Sequence, residues 1–200
     1  TRPPSDLLAA MVSTAVHHAR AQAATPCAAL ASTALSDARV ESAEVNATGT
    51  VAGGRGAVLT GVPDFCRVRG LAAPSPRSRI HFEAWLPLTG WNGRIQMIGN
   101  GGYSSAINNN ELAALVRKGT AAVATDTGHQ GGKLAFGFGN DDAIADWGHR
   151  AVHESIVSAK VLATRFYGRA PRYSYFTGCS TGGHQALMEA RNTFLRRARL

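Results

Sequence analysis

The chemistry in this sequence concentrates at Gly178-Cys179-Ser180-Thr181-Gly182-Gly183, which carries a serine between glycines at the spacing G-x-S-x-G. Glycine makes up 22 of 200 residues, so a short Gly/Ser string alone says little. Its flanks say more. Tyr173 to Thr177 reads as a strand, and a helical pattern starts at about Ser180. A sharp turn from strand to helix forces the serine backbone into a strained conformation, and small neighbours remove the clashes. Ser180 Oγ would then stand above the strand ends at a helix N-terminus, where N–H groups and the dipole favour negative charge. That is the setting of a nucleophile for acyl transfer. The competing reading is a glycine-rich turn with Ser180 as an ordinary capping residue.

A serine nucleophile needs an oxyanion hole, a base and a carboxylate. The backbone N–H of Thr181 is one donor by position. Gly99-Asn100-Gly101-Gly102, at the end of another strand, offers the second through Gly101 and Gly102. Glycines there let backbone N–H groups approach a developing oxyanion. A plain glycine turn is the alternative. Enzymes built on this elbow carry the acid and the histidine after the serine. After Ser180 come only His184 and Glu189, with no Asp, and His184 sits four residues along the same helix. Upstream lie His129, His149, His153, Asp126, Asp141 and Asp146. His149 and His153 have the i, i+4 spacing of a metal pair, although a polar helix face explains them better. No triad can be completed in the normal order.

The elements that must hold these groups alternate. Ile80–Leu86 alternates apolar and polar residues and predicts a half-buried strand. Arg94–Ile98 is a second strand running into the Gly99–Gly102 loop, and 111–117 is a short helix. Ala121–Thr125 is a small apolar strand covered on both faces. The longest helix is expected from Asp142 to Tyr167, with Ile144, Trp147, Ala151, Ile156, Val157, Leu162 and Phe166 as its inner face. Strands and helices joined by long connections imply crossover units and a mostly parallel sheet. Thr33 to Arg69 differs, with short β-like runs that predict an antiparallel N-terminal lead-in.

The ends and the charge bound the rest. No stretch approaches the ~20 apolar residues of a membrane span. An apolar run from Leu7 to Val16 precedes Ala21-Gln22-Ala23, a small-x-small pattern, so residues 1–23 read as an export-signal remnant. The net charge is +8, but 18 of the 21 basic residues are Arg and they are scattered, except in the last ten residues. Charge alone supports only non-specific binding, and neither nucleic acid nor membrane is the expected partner. Cys27 and Cys66 lie outside the elbow and could pair in an exported protein, leaving Cys179 odd. Cys179 is then either a buried free thiol or half of a bridge to sequence beyond this chain.

From about Cys27 to Ala190 the chain resembles the tannase and feruloyl esterase family of α/β-hydrolases. The resemblance rests on Phe65-Cys66-Arg67-Val68, Trp91-Asn92-Gly93-Arg94, Gly99-Asn100-Gly101-Gly102-Tyr103, Thr125-Asp126-Thr127-Gly128-His129-Gln130, Arg150-Ala151-Val152-His153 and Gly178-Cys179-Ser180-Thr181-Gly182-Gly183. It implies a secreted serine esterase acting on phenolic-acid esters. Carried over, Ser180 is the nucleophile, Cys27 and Cys66 form an N-terminal disulfide, and Cys179 is half of a bridge to a cysteine beside the catalytic histidine. The family's lid domain, with its calcium site, and its catalytic Asp and His follow the elbow helix, and this sequence has no match to them. His184 stands where the family usually has Arg.

The expectation is therefore an incomplete α/β-hydrolase fold over residues 24–191, followed by a basic tail at 192–200 foreign to the family. Such a chain, secreted or periplasmic, would hydrolyse small aromatic esters weakly or not at all. It would need no cofactor of its own and would tend to self-associate. The alternative is a non-catalytic remnant or binding module of the same fold.

Overall fold

A computed structural model of the chain describes residues 25–197, with side chains to residue 192. The export-signal reading of residues 1–23 and the last three residues of the basic tail lie outside that range. The strands are β1 (Ala38–Asn46), β2 (Thr50–Ala52), β3 (Val58–Thr60), β4 (Phe65–Ala72), β5 (Ile80–Pro87), β6 (Arg94–Ile98), β7 (Ala121–Thr125) and β8 (Tyr173–Thr177). The helices are α1 (Asn109–Arg117), α2 (Asp141–Ala145), α3 (Ala151–Tyr167) and α4 (Thr181–Arg197). Six strands form one sheet in the order β1-β4-β5-β7-β6-β8, and β2 pairs only with β3.

The sheet is mixed. β1, β4, β5 and β7 pair antiparallel in succession, and parallel pairing joins β7 to β6 and β6 to β8. The antiparallel lead-in thus reaches past Arg69 to take in β5, because the connection from Ala72 to Ile80 is too short for a crossover. Period-two alternation divides the central strands between two cores. Phe82, Ala84, Ile95, Met97, Ala121 and Val123 face α3, packing with Val152, Ile156 and Ala159. Trp85, Ile98, Ala122 and Ala124 face α1, packing with Leu112, Ala113 and Val116.

This arrangement creates a switch point. β6 leads into α1 on one face, whereas β8 leads into α4, which packs beside α3 on the other. Connections diverging from adjacent parallel strands open a crevice at their carboxyl ends, where ligands bind in open α/β sheets. The Gly99–Gly102 loop and the Ser180 elbow are the two lips of that crevice.

Three sequence expectations are corrected. β5 is buried on both faces: Glu83 is 7% exposed. Its carboxylate accepts from Arg67 Nε and Nη2, both at 2.8 Å, and from Trp85 Nε1 at 2.7 Å. A fully paired carboxylate can occupy an interior position that polarity alone assigns to solvent. The long helix is also interrupted, by a π turn over Asp146–Arg150. A π turn inserts extra residues per turn and shifts the phase, so Ile144 and Val157 are exposed. The inner face of α3 is instead Val152, Ser155, Ile156, Ala159, Leu162, Ala163 and Phe166. Finally, the basic tail expected at 192–200 begins inside a helix, because α4 runs to Arg197, with no Gly or Pro to interrupt a stretch rich in strong helix formers. Positions 192–197 of the expected tail are therefore helical in backbone. The disulfide is present, joining Cys27, in a short 3-10 turn, to Cys66 of β4.

Candidate active site

The elbow has the geometry that its sequence requires. Ser180 adopts φ +56°, a left-handed conformation that costs a non-glycine L-residue roughly 1–2 kcal/mol. Thr177 ends β8 and accepts from Gly99 N–H at 2.8 Å through its carbonyl oxygen, which ties the two lips together. A Cβ on Gly178 would lie 2.6–2.7 Å from the Gly182 backbone, and one on Gly99 would lie 2.8 Å from Gly182 Cα. Bare backbone at all three positions lets the first turn of α4 pack on both strand ends. Within that turn, Gly182 N–H donates to Cys179 O at 2.9 Å and Gly183 N–H to Ser180 O at 2.9 Å. The N–H of Thr181 donates to no described residue, as is usual for the first N–H groups of a helix.

The second lip is fastened from below. Gln185, 1% exposed, accepts through Oε1 from Asn100 N–H at 2.9 Å. Asn100 Nδ2 donates to Thr125 O at 3.0 Å and to Ala106 O at 3.3 Å. Asn100 is thereby committed to structure, which leaves the exposed N–H groups of Gly101 and Gly102 as the available donors. Two side chains brace the loop beyond them. His129 Nε2 lies 2.9 Å from Tyr103 O, and since a carbonyl only accepts, that nitrogen carries the hydrogen. Trp147 Nε1 donates to Gly102 O at 3.3 Å.

None of the candidate bases or acids hydrogen-bonds Ser180 Oγ among the described residues. His184 is exposed on α4, its ring 6.2 Å from that of Trp147. His153 Nδ1 pairs with Glu189 at 3.0 Å, linking α3 to α4. Burial makes His149 less basic. Asp146 is held by Arg150 Nε at 2.8 Å and Ser78 Oγ at 3.0 Å, with burial raising its pKa. Asp141 lies in the first turn of α2. Asp126 accepts from His81 N–H, Gly128 N–H and Gln130 Nε2 and pairs with His81 Nδ1 at 2.9 Å. Burial raises its pKa, opposed by those bonds. Cys179 is free and exposed rather than buried. Among the described residues no three His, Cys, Asp or Glu side chains gather as a metal site. Of the i, i+4 histidines, His153 bonds to Glu189 of α4 and His149 lies in the π turn.

Two cavities flank the Gly99–Ser104 loop. One, about 310 Å³, is lined largely by polar groups and glycines, including Gly53, Gly101, Ser104, Asn108 and Glu111. The other, about 210 Å³, is lined by Tyr103 and by aromatic and aliphatic side chains of the segment that follows β7. A site of this shape can hold an ester carbonyl between two lips, with groups on either side.

The sequence model of tannase and feruloyl esterase proteins matches residues 66–192, which include both lips and the elbow. This chain belongs to the tannase and feruloyl esterase family. An uncharacterized esterase of Xanthomonas campestris pv. campestris is 37% identical over 172 residues, covering 85% of this chain and 30% of that protein. Feruloyl esterase B of Aspergillus niger is 38% identical over 126 residues, covering 63% of this chain and 24% of that enzyme. The crystal structure of feruloyl esterase B from Aspergillus oryzae superposes with a TM-score of 0.72 at 32% identity, covering 80% of this chain and 32% of that one. Tannin acyl hydrolase from Aspergillus niger, at 21% identity and a TM-score of 0.58, shares the fold. The chain thus spans less than a third of the length of the relatives it matches. Sequence reasoning singled out Ser180, Thr181, Gly101 and Gly102, which the structure places at the two lips, but not Gln185 or the bracing by His129 and Trp147. A glutamine on the inward side of the elbow helix was the available signal for the first. Nothing local marked the other two.

Proposed function

We propose that this chain is the nucleophile-bearing part of a secreted or periplasmic serine carboxylic-ester hydrolase of the feruloyl esterase and tannase type, acting on phenolic-acid esters. The observation that carries the reading is the left-handed Ser180 held between close-packed glycines, since strain of this kind at a non-glycine residue clusters at functional sites. In the proposed step Ser180 Oγ bonds to the ester carbonyl carbon and its proton passes to a base. The carbonyl oxygen, now an oxyanion, accepts from Thr181 N–H and from Gly101 or Gly102. Collapse breaks the C–O bond to the alcohol, which leaves with a proton, and water then cleaves the acyl-Ser180 ester. Preformed N–H donors contribute here because they need no reorganisation as charge develops.

The base is the weak point of this chain taken alone. Among the described residues no imidazole is bonded to Ser180 Oγ, and loss of one triad member commonly costs roughly 10⁴–10⁶ in rate. We expect slow turnover of methyl ferulate and slow fluorophosphonate labelling, both abolished by Ser180→Ala. Labelling that maps elsewhere, or turnover indifferent to Ser180→Ala, would remove the proposal. The second reading, a non-catalytic module of the same fold, is favoured by that lack of a bonded base. It predicts no labelling at all. Export is supported by the Cys27–Cys66 disulfide, a bond that persists in oxidising compartments.

A further inference from the structure

We infer that His129 is a positioning residue for the oxyanion loop, holding the Gly102 N–H in place through the Tyr103 carbonyl, and that the Thr127 hydroxyl fixes the ring that does so. The inference rests on the esterase reading for the reaction it serves, but the geometry of the loop stands by itself.

The loop is a tight turn. Ser104 N–H donates to Gly101 O at 3.0 Å, and Gly102 between them takes φ +56°. A trans peptide is planar, so holding its carbonyl aims its N–H the opposite way. The bond on Gly101 O therefore sets the direction of Gly102 N–H, one of the available oxyanion donors. The Ser104 N–H that makes this bond shares its peptide unit with Tyr103 O, which accepts from His129 Nε2 at 2.9 Å. That unit is gripped at both ends, and His129 holds the outer one.

The ring of His129 is itself fixed on three sides. It is 6% exposed and stacks on Phe136 at a centroid distance of 3.9 Å. Its Nδ1 lies 3.1 Å from Thr127 Oγ1, which is also 2.6 Å from Asp126 O. Counting hydrogens leaves two arrangements. Either Thr127 donates to a bare Nδ1, or Nδ1–H donates to Thr127, whose own hydrogen goes to Asp126 O. Nε2 carries a hydrogen in both. A hydroxyl can donate and accept, so the brace on Tyr103 holds whichever charge the ring carries. Thr127 occupies this place at φ +62°, fully buried, which is a genuine outlier for a β-branched residue. Such strain persists only where the surroundings over-determine it. Here they do: Asp126 accepts from Gly128 N–H at 2.8 Å and Gln130 Nε2 at 3.1 Å, and Thr127 N–H donates to Thr125 Oγ1 at 3.2 Å. Glycine would adopt that φ without strain, but it has no hydroxyl to offer His129.

The test uses the whole 200-residue chain. Its imidazole ¹⁵N spectrum, with His129 assigned by the signals missing from His129→Gln, should show hydrogen on Nε2. A neutral ring with hydrogen on Nδ1 alone would overturn the inference whether or not any variant folds. His129→Leu removes the donor, and His129→Gln returns an N–H at nearly the same reach. Leucine should speed amide exchange at Ser104 while β5 and β7 keep their protection. It should also slow fluorophosphonate labelling of Ser180 by roughly ten- to a hundredfold, the scale of a small misplacement. Glutamine should restore both readouts. Thr127→Val should act in the direction of leucine, and Thr127→Ser should not. Glutamine no better than leucine, valine no worse than serine, or unchanged labelling beside faster Ser104 exchange would each overturn it. A wild-type chain that never labels sinks only the esterase reading, and Ser104 exchange then decides the brace.

Discussion

Replacing Ser180 with glycine should make the protein more stable while ending any nucleophilic chemistry. Ser180 sits at φ +56°, a conformation that costs a side-chain-bearing residue roughly 1–2 kcal/mol. Glycine removes that cost but loses about 0.5–1 kcal/mol more backbone entropy on folding. Alanine is the proper reference, because it deletes the hydroxyl and keeps the strain. Ser180 is exposed and its Oγ bonds no described residue, so Ser180→Ala itself should lie within about 0.5 kcal/mol of wild type, as surface changes do. The gap between Ser180→Gly and Ser180→Ala should then be about 1 kcal/mol in favour of glycine, or ~2–4 °C in Tm for a chain of this size. Urea titrations of the three proteins with a common m-value measure it. Glycine equal to or less stable than alanine would mean that the elbow is not strained, and the structural basis for naming Ser180 would go with it.

Five further outcomes follow from the same contacts. Gly178→Ala drives a Cβ to within 2.6–2.7 Å of the Gly182 backbone and should cost up to about 3 kcal/mol as overpacking does. Gly101→Ala, with open space around it, should be nearly neutral in the same melts. Gln185→Leu leaves the buried Asn100 N–H without its acceptor, a loss of ~1–3 kcal/mol, and should slow fluorophosphonate labelling by loosening the second lip. Cys27→Ser opens a bridge spanning 39 residues, worth about 4 kcal/mol in the chain-entropy model; calorimetry under non-reducing conditions checks it. For Asp126, burial raises the folded pKa above the unfolded one. The folded state therefore binds that proton more tightly, and this contribution is present at low pH and lost as pH rises through the raised value. Stability of Asp126→Asn relative to wild type should accordingly improve as pH rises above about 4, whereas a difference flat with pH would contradict the desolvated carboxylate.

What the sequence determined was local. The six residues of the elbow, the strand before it and the helix after it were legible because their constraints are local. A tight turn needs small residues next to the serine whatever the rest of the chain does. Ala121–Thr125 could be read as covered on both faces because its side chains are all apolar or small. Cys27 and Cys66 were legible as a possible pair, fixed as a disulfide only by the resemblance, and their pairing depended on a fold that brings a 3-10 turn onto β4. Tertiary structure decided the rest. Glu83 is interior because Arg67 and Trp85 meet it from the neighbouring strand and its own, a compensation that alternation cannot express. Trp147 and Ile144 were assigned to the core because periodicity assumes a constant 3.6 residues per turn. The π turn at Asp146–Arg150 breaks that phase and turns them toward the Gly102 loop. His129, Trp147 and Gln185 lie between 18 and 85 residues from one another and from the loop residues they bond, so no window of sequence contains the site. A turn is written in the residues that make it; a crevice between two strand ends exists only once the sheet has set their order.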